Sequence, residues 1–181
     1  MSGAFDELTM RRRVGKPPDP GLVRVFLDLW PEPTSIVDLG AGEGRHVRVL
    51  RELGHNAFGI DGSPGIEQLT EGLVQTLDLS VKGAIREPMA DWAICIEVGE
   101  HVPRECEEAF IANVAASARC GLLCSWATPG QRGRGHINCR TPEWVASRFG
   151  ALLLFDEDQT LRSRALAGRG WDRKLLLFIP A

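Results

Sequence analysis

Residues 36–44 read Ile-Val-Asp-Leu-Gly-Ala-Gly-Glu-Gly, an apolar strand that runs directly into a turn with Gly40, Gly42 and Gly44. Few turns require three glycines so close together. Glycine lacks a Cβ, so the backbone can take positive φ and a ligand can lie against the main chain itself. The segment that follows has helical spacing, with Val47, Leu50 and Leu53 three apart and Gly54 as a stop. A helix opening at such a turn presents unpaired N–H groups and a partial positive charge to whatever the turn holds.

Two kinds of ligand use a strand, glycine turn and helix of this form, and spacing separates them. A dinucleotide site has the pattern G-x-G-x-x-G. Here the pattern is G-x-G-x-G, with Asp38 just before it. A carboxylate at that place repels a pyrophosphate but suits a ligand with an ammonium group and no phosphate. On these residues the chain resembles the class I S-adenosylmethionine (SAM) dependent methyltransferases, whose first motif has this form. Without a ligand, the same residues make a tight strand-to-helix turn.

Three further segments extend the resemblance. Residues 57–61, Ala-Phe-Gly-Ile-Asp, form an apolar run that ends in Asp61. An acid at the end of a second strand can accept both ribose hydroxyls, the role the resemblance assigns it. Asp61-Gly62-Ser63-Pro64 is also a turn signal, with Ser63 as N-cap and Pro64 at the first helical position of a helix carrying Ile66, Leu69 and Leu73. Asp78, in Leu77-Asp78-Leu79-Ser80, fits the acidic position that in this family accepts the adenine amino group; otherwise it is a solvated loop aspartate. Glu97-Val98-Gly99-Glu100-His101-Val102-Pro103 ends another apolar strand and resembles the family's fourth motif, with Pro103 opening a helix that carries Cys106, Phe110 and Val114. The resemblance therefore implies a cofactor-binding set of Asp38, Gly40, Ala41, Gly42, Gly44, Asp61, Gly62, Asp78, Leu79, Glu97 and Val98. It implies SAM as cofactor and S-adenosylhomocysteine as product.

Composition fits a single enzyme-sized domain over residues 19–181. The 181 residues are 44% hydrophobic and 25% charged, which suffices for a full core. A net charge of −3 gives no electrostatic case for nucleic-acid binding. Arg11, Arg12, Arg13 and Lys16 form a basic cluster too short to change that. Residues 1–18 read as an N-terminal arm, either disordered or, through Phe5, Leu8 and Met10, a lid over the cofactor. No signal peptide and no stretch of membrane-spanning length is present, so a cytoplasmic location and no membrane partner are expected. Five cysteines without a Cys-x-x-Cys pair point the same way, and Cys95 and Cys124 read as core residues. The four histidines lack metal-ligand spacing, so no metal is expected.

Asp19 and Pro20 start a helix in which Leu22, Phe26 and Trp30 share a face, and Pro31 and Pro33 end it. Strand and helix then alternate, although residues 80–91 leave little room for a crossover helix. A strand over 122–126 is followed by a long loop, and then by a helix capped by Thr141 and Pro142 that runs to Phe149 and stops at Gly150. With the third strand that the resemblance places just before Asp78, apolar runs over 152–155 and 175–179 bring the count to seven strands. The fold class is α/β, a three-layer Rossmann-like sandwich around a mostly parallel seven-stranded sheet. The resemblance makes the last strand antiparallel.

The loop from Ala127 to Arg140 leaves the fifth strand at the ligand edge and is long for a compact domain. Gly130, Gly133 and Gly135 would let it fold over a substrate, His136 and Asn138 are polar, and Arg132, Arg134 and Arg140 could pair with a carboxylate or phosphate. A mobile surface loop fits the same residues. Methyl transfer itself needs mainly alignment of the acceptor with the S–CH3 bond and exclusion of water. A hydroxyl acceptor also needs a base, for which His101, His136, Glu97 and Glu100 are candidates. His101 also fits as a helix-capping or packing residue, and His46 and His55 read as structural. The expectation is in-line methyl transfer to an oxygen or nitrogen of a small molecule. A protein or RNA methyltransferase, and an inactive SAM-binding partner subunit, are the alternatives.

Overall fold

The computed structural model describes residues 17–181. The expectations placed on the basic cluster, and on Phe5, Leu8 and Met10, lie outside those residues. Helix α1 (Pro20–Leu29) begins as expected: the Asp19 side chain accepts from Gly21 N at 2.7 Å, and proline occupies the first turn. Then come β1 (Ser35–Leu39), α2 (Arg45–Glu52), β2 (Asn56–Asp61), the single turn α3 (Ile66–Leu69), β3 (Val74–Thr76) and β4 (Ala90–Ile96). Two 3-10 turns, Gly99–His101 and Arg104–Cys106, lead into α4 (Glu107–Ala116). The chain closes with β5 (Ala118–Ser125), α5 (Pro142–Phe149), β6 (Leu154–Phe155), α6 (Glu157–Ala167) and β7 (Leu176–Ile179).

The sheet has seven strands in the order β3-β2-β1-β4-β5-β7-β6. Strands β1 to β5 pair in parallel, and β7 runs antiparallel to both β5 and β6. Because the sheet is covered on both sides, its strands are apolar at successive positions. Ile36, Ile94, Leu123 and Leu177 face one layer with Leu22, Phe26, Val47 and Leu50. Their neighbours Val37, Cys95, Leu122 and Phe178 face the other with Phe110, Val114, Val145 and Phe149. Cys95 and Cys124 are buried free thiols, as expected of core residues, and burial pushes both thiol pKa values up. The edge strand β6 is only two residues long, which limits the free sheet edge.

Several local readings are corrected. Ser63 is not an N-cap: α3 begins at Ile66 with Gly65 in the left-handed region before it, and Ser63 N instead donates to Asp61. Leu73 lies beyond that helix, after Gly72 at φ +79°. Pro103 opens a 3-10 turn, and the α-helix proper starts at Glu107. Helix α6 was not foreseen, although Asp156 caps it by accepting from Gln159 N at 3.0 Å. Its buried positions are Thr160, Ser163 and Ala167, while Leu161 is exposed, so hydrophobic periodicity carries no sign of it. The thin crossover holds: residues 77–89 contain no helix. No helix among the described residues is long and apolar enough to cross a membrane.

Candidate active site

The strand order reverses between β1 and β4, and in an open α/β sheet the loops leaving such a point spread apart to form a crevice. The glycine turn leaves β1 there. Gly40, Gly42 and Gly44 have φ of +74°, +54° and +76°, which explains their number. Gly40 N and Ala41 N donate to Ile60 O at 2.8 and 3.0 Å, tying the turn to the end of β2. Asp61 completes the tie: Oδ2 accepts from Gly42 N at 2.9 Å and Oδ1 from Ser63 N at 2.8 Å.

A cavity of about 460 Å³ opens over these residues, within the usual range for small-ligand sites. Gly40, Ala41, Gly42, Asp61, Gly62, Asp78, Leu79, Glu97 and Val98 all line it. Asp78 Oδ1 takes both hydrogen bonds from Ser80, at 2.9 Å from N and 2.6 Å from Oγ, which leaves Oδ2 available to a ligand. Two expected members stand back from the wall. Gly44 faces Leu73 and Val74, and a Cβ there would come within 2.7 Å of Leu73 Cδ2, so its task is close packing of α2 on the sheet. Asp38 is buried behind His46, with Oδ2 3.4 Å from Nδ1.

His46, read from sequence as structural, lines the cavity together with Glu43. Asp38 Oδ2, His46 Nε2 and Glu43 Oε1 are buried and, among the described residues, without hydrogen-bond partners. Three orphaned polar atoms beside one glycine turn fit a polar ligand group that supplies what they lack. A sequence signal for His46 existed: it stands four residues before Leu50, on the buried stripe of α2, where a polar residue needs a reason.

At the end of β4 the backbone of Glu97 is held at φ +56°, a conformation rare for a residue with a side chain. Its carboxylate accepts from Ser125 Oγ at 2.9 Å, Gln131 Nε2 at 2.7 Å and Lys174 Nζ at 2.7 Å. These bonds occupy both carboxylate oxygens and tie the end of β4 to β5, to the long loop and to the segment just before β7. Sequence reasoning missed Lys174 altogether, because it reaches this site from the far end of the chain.

The loop 127–140 closes the remaining wall with Gly133, Arg134 and His136. Ile137 N and Asn138 N donate to the Glu100 carbonyl at 2.9 and 3.0 Å, so the loop is fastened to the segment after β4. Asn138 and Arg140 have internal partners rather than a substrate. Asn138 Nδ2 donates to Glu107 Oε2 at 2.8 Å, Arg140 makes a bidentate pair with the same carboxylate, and its guanidinium lies 4.3 Å from the centre of the Trp144 ring. His101 and His136 both line the cavity, with ring centres 5.1 Å apart. Glu100 is fully buried beside them, His136 Nε2 being 3.8 Å from its Oε1. Burial and then the charge of Glu97 raise the Glu100 pKa to about 7. The N–H groups of Glu100 and Ala127 offset part of this without forming bonds of ordinary geometry.

No protein-family model and no curated protein sequence matches the chain. Solved structures do. A TehB-like SAM-dependent methyltransferase from Corynebacterium glutamicum superposes with a TM-score of 0.66 at 19% identity, covering 96% of this chain and 95% of that one. Magnesium protoporphyrin IX methyltransferase from Synechocystis, solved with bound SAM, gives 0.60 at 17% identity, covering 96% and 91%. A methyltransferase solved with its activator from Haloferax volcanii gives 0.66 at 16% identity, covering 96% and 92%. The chain thus has the class I SAM-dependent methyltransferase fold, with the antiparallel seventh strand that the resemblance implied.

Proposed function

We propose that the chain is a SAM-dependent methyltransferase that transfers a methyl group to an oxygen or nitrogen of a small molecule by in-line displacement. The observation that carries this reading is the wall of the cavity: the glycine turn, Asp61, Asp78 and the Glu97–Val98 step meet around one space at the reversal of strand order. Asp61 and Asp78 would accept from the ribose and the adenine amino group. His46 and Glu43 on the wall would supply unpaired polar atoms for the amino-acid end, with Asp38 behind His46. When bound, SAM supplies an electrophilic methyl group, and the chain's share is to hold the acceptor in line and keep water out.

The acceptor side is formed by Glu100, His101, His136 and the fastened loop. His101 and His136 are the candidates for taking a proton from a hydroxyl acceptor. The closed loop and the absence of an inserted docking element among the described residues favour a small acceptor over a protein or RNA. A catalytically inactive SAM-binding partner subunit is the second reading, because the residues that would hold the cofactor are the same in both cases. A panel of small acceptors incubated with methyl-labelled SAM tests both: label in one acceptor class supports the enzyme. SAM binding by calorimetry without transfer to any acceptor supports the partner subunit, and no SAM binding rejects both.

A further inference from the structure

Where the segment after β4 meets the long loop, one donor atom from each of Glu100, His101 and His136 lies within 4.8 Å of the others. His101 Nδ1 is 3.0 Å from the Gly135 carbonyl, and His136 Nδ1 is 3.1 Å from the Gln131 carbonyl. A carbonyl only accepts, so in the neutral form of each ring the proton sits on Nδ1 and the lone pair on Nε2. Histidines that bind metals are held in this way, the remote N–H fixed by a carbonyl or carboxylate. Glu100 is completely buried, and among the described residues neither carboxylate oxygen has a hydrogen-bond partner of ordinary geometry. A carboxylate so placed requires either a proton or a cation. Gly133 keeps the histidine accessible, since a Cβ there would stand 2.0 Å from His136 Nε2.

We propose that Glu100, His101 and His136 bind one divalent transition-metal ion, and that this ion receives the hydroxyl oxygen of the methyl acceptor. The second half rests on the methyltransferase reading above. Two imidazoles and one carboxylate suit manganese, iron(II), cobalt or zinc, and leave coordination positions open. A hydroxyl bound there gives up its proton more readily, to a water molecule on the same ion, so in this arrangement the two histidines serve as ligands in place of the proton-accepting role considered above. Its oxygen then forms a bond to the methyl carbon while the C–S bond breaks, and the electron pair of that bond stays on sulfur as the sulfonium becomes a neutral thioether. An amine gains nothing from such an ion, which would occupy the lone pair that must attack. The ion therefore selects hydroxyl acceptors over amines. Spacing along the chain hid this set because His136 comes from a different loop.

Calorimetric titration of chelator-stripped protein with manganese(II) or cobalt(II), without SAM, tests the ion site. One ion per chain is expected, with binding weakened at least about tenfold in Glu100→Gln and in His136→Ala and retained in Cys120→Ser, which removes an exposed thiol. The cobalt-loaded protein should show visible d–d absorption that both ligand variants lose while circular dichroism reports them folded. Absence of stoichiometric binding, or binding unchanged in the two ligand variants, overturns the site. For the acceptor, stripping the ion should leave SAM affinity intact and abolish transfer to hydroxyl compounds until metal is restored. Transfer undiminished by stripping overturns that half. Metal binding with no SAM binding would instead refute the functional reading and leave the ion site standing.

Discussion

Asp61 carries two demands on one carboxylate. It accepts from Gly42 N and Ser63 N, and it faces the cavity. Replacing it with alanine should weaken binding of S-adenosylhomocysteine by about 1–3 kcal/mol, as for a buried hydrogen bond to a charged group, and lower folding stability through the two stranded N–H groups. Calorimetry reads the first and urea unfolding the second; unchanged affinity would remove Asp61 from the ligand contacts. His55 makes a different, pH-dependent contribution. It is buried with Nδ1 accepting from Thr34 N at 3.3 Å, and burial lowers its pKa below 6.5. Above that pH both folded and unfolded states hold it neutral. Below it the unfolded chain takes up the proton first, so its contribution to stability is lost as pH falls from about 6.5 toward the lower folded value. Urea midpoints at pH 7.5 and 5.5 should differ more for the native chain than for His55→Gln, and equal differences would exclude this role. Among site residues, those that announce themselves by type and place, Asp61, Asp78 and Glu97, were legible. Lys174 and the orphaned Glu43 were not, because their significance depends on contacts between distant segments.

At the level of elements, the turn between β1 and α2 is set by packing as much as by ligand. Gly44 precedes α2 at φ +76° with Leu73 and Val74 against it. Gly44→Ala should lose about 1–2 kcal/mol for a left-handed alanine, and overpacking adds about 1–3 kcal/mol. Equilibrium unfolding measures the total. A loss below about 1 kcal/mol would mean that α2 shifts freely away from β3. Helices α1 and α5 were legible through Asp19-Pro20 and Thr141-Pro142, since a capping side chain followed by proline is a local event. Helix α6 was not, because Thr160 and Ser163 on its buried face are polar. Thr160 Oγ accepts from Leu177 N at 2.9 Å, so the helix is joined to β7 by a hydrogen bond where an apolar stripe would ordinarily serve.

For the whole molecule, apolar runs and turn signals sufficed for six of the strands and the two covered faces, while the short β3, with only Val74 buried, was placed by the resemblance. The joining of α1 to α6 was not legible: Arg24 donates to Leu166 O at 3.0 Å, Arg162 pairs with Asp28, and Gly21 lies against the Ala167 carbonyl. That contact joins the two ends of the described chain across one face of the sheet. A ligand held by loops from β1, β2 and β4 should stabilise the entire fold. At a concentration a hundredfold above its Kd it adds about 2.7 kcal/mol, which raises Tm by roughly 5–10 °C for a chain of this size. Differential scanning calorimetry with S-adenosylhomocysteine checks this, and an unmoved transition would exclude tight binding to the native state. The bonds from Asp61 to Gly42 and Ser63 give the same dependence a second meaning. The same carboxylate that faces the cavity also ties the glycine turn to the end of β2, so a lineage that abandoned catalysis would still be held to it by the need to fold, and its persistence among descendants would testify to architecture before chemistry.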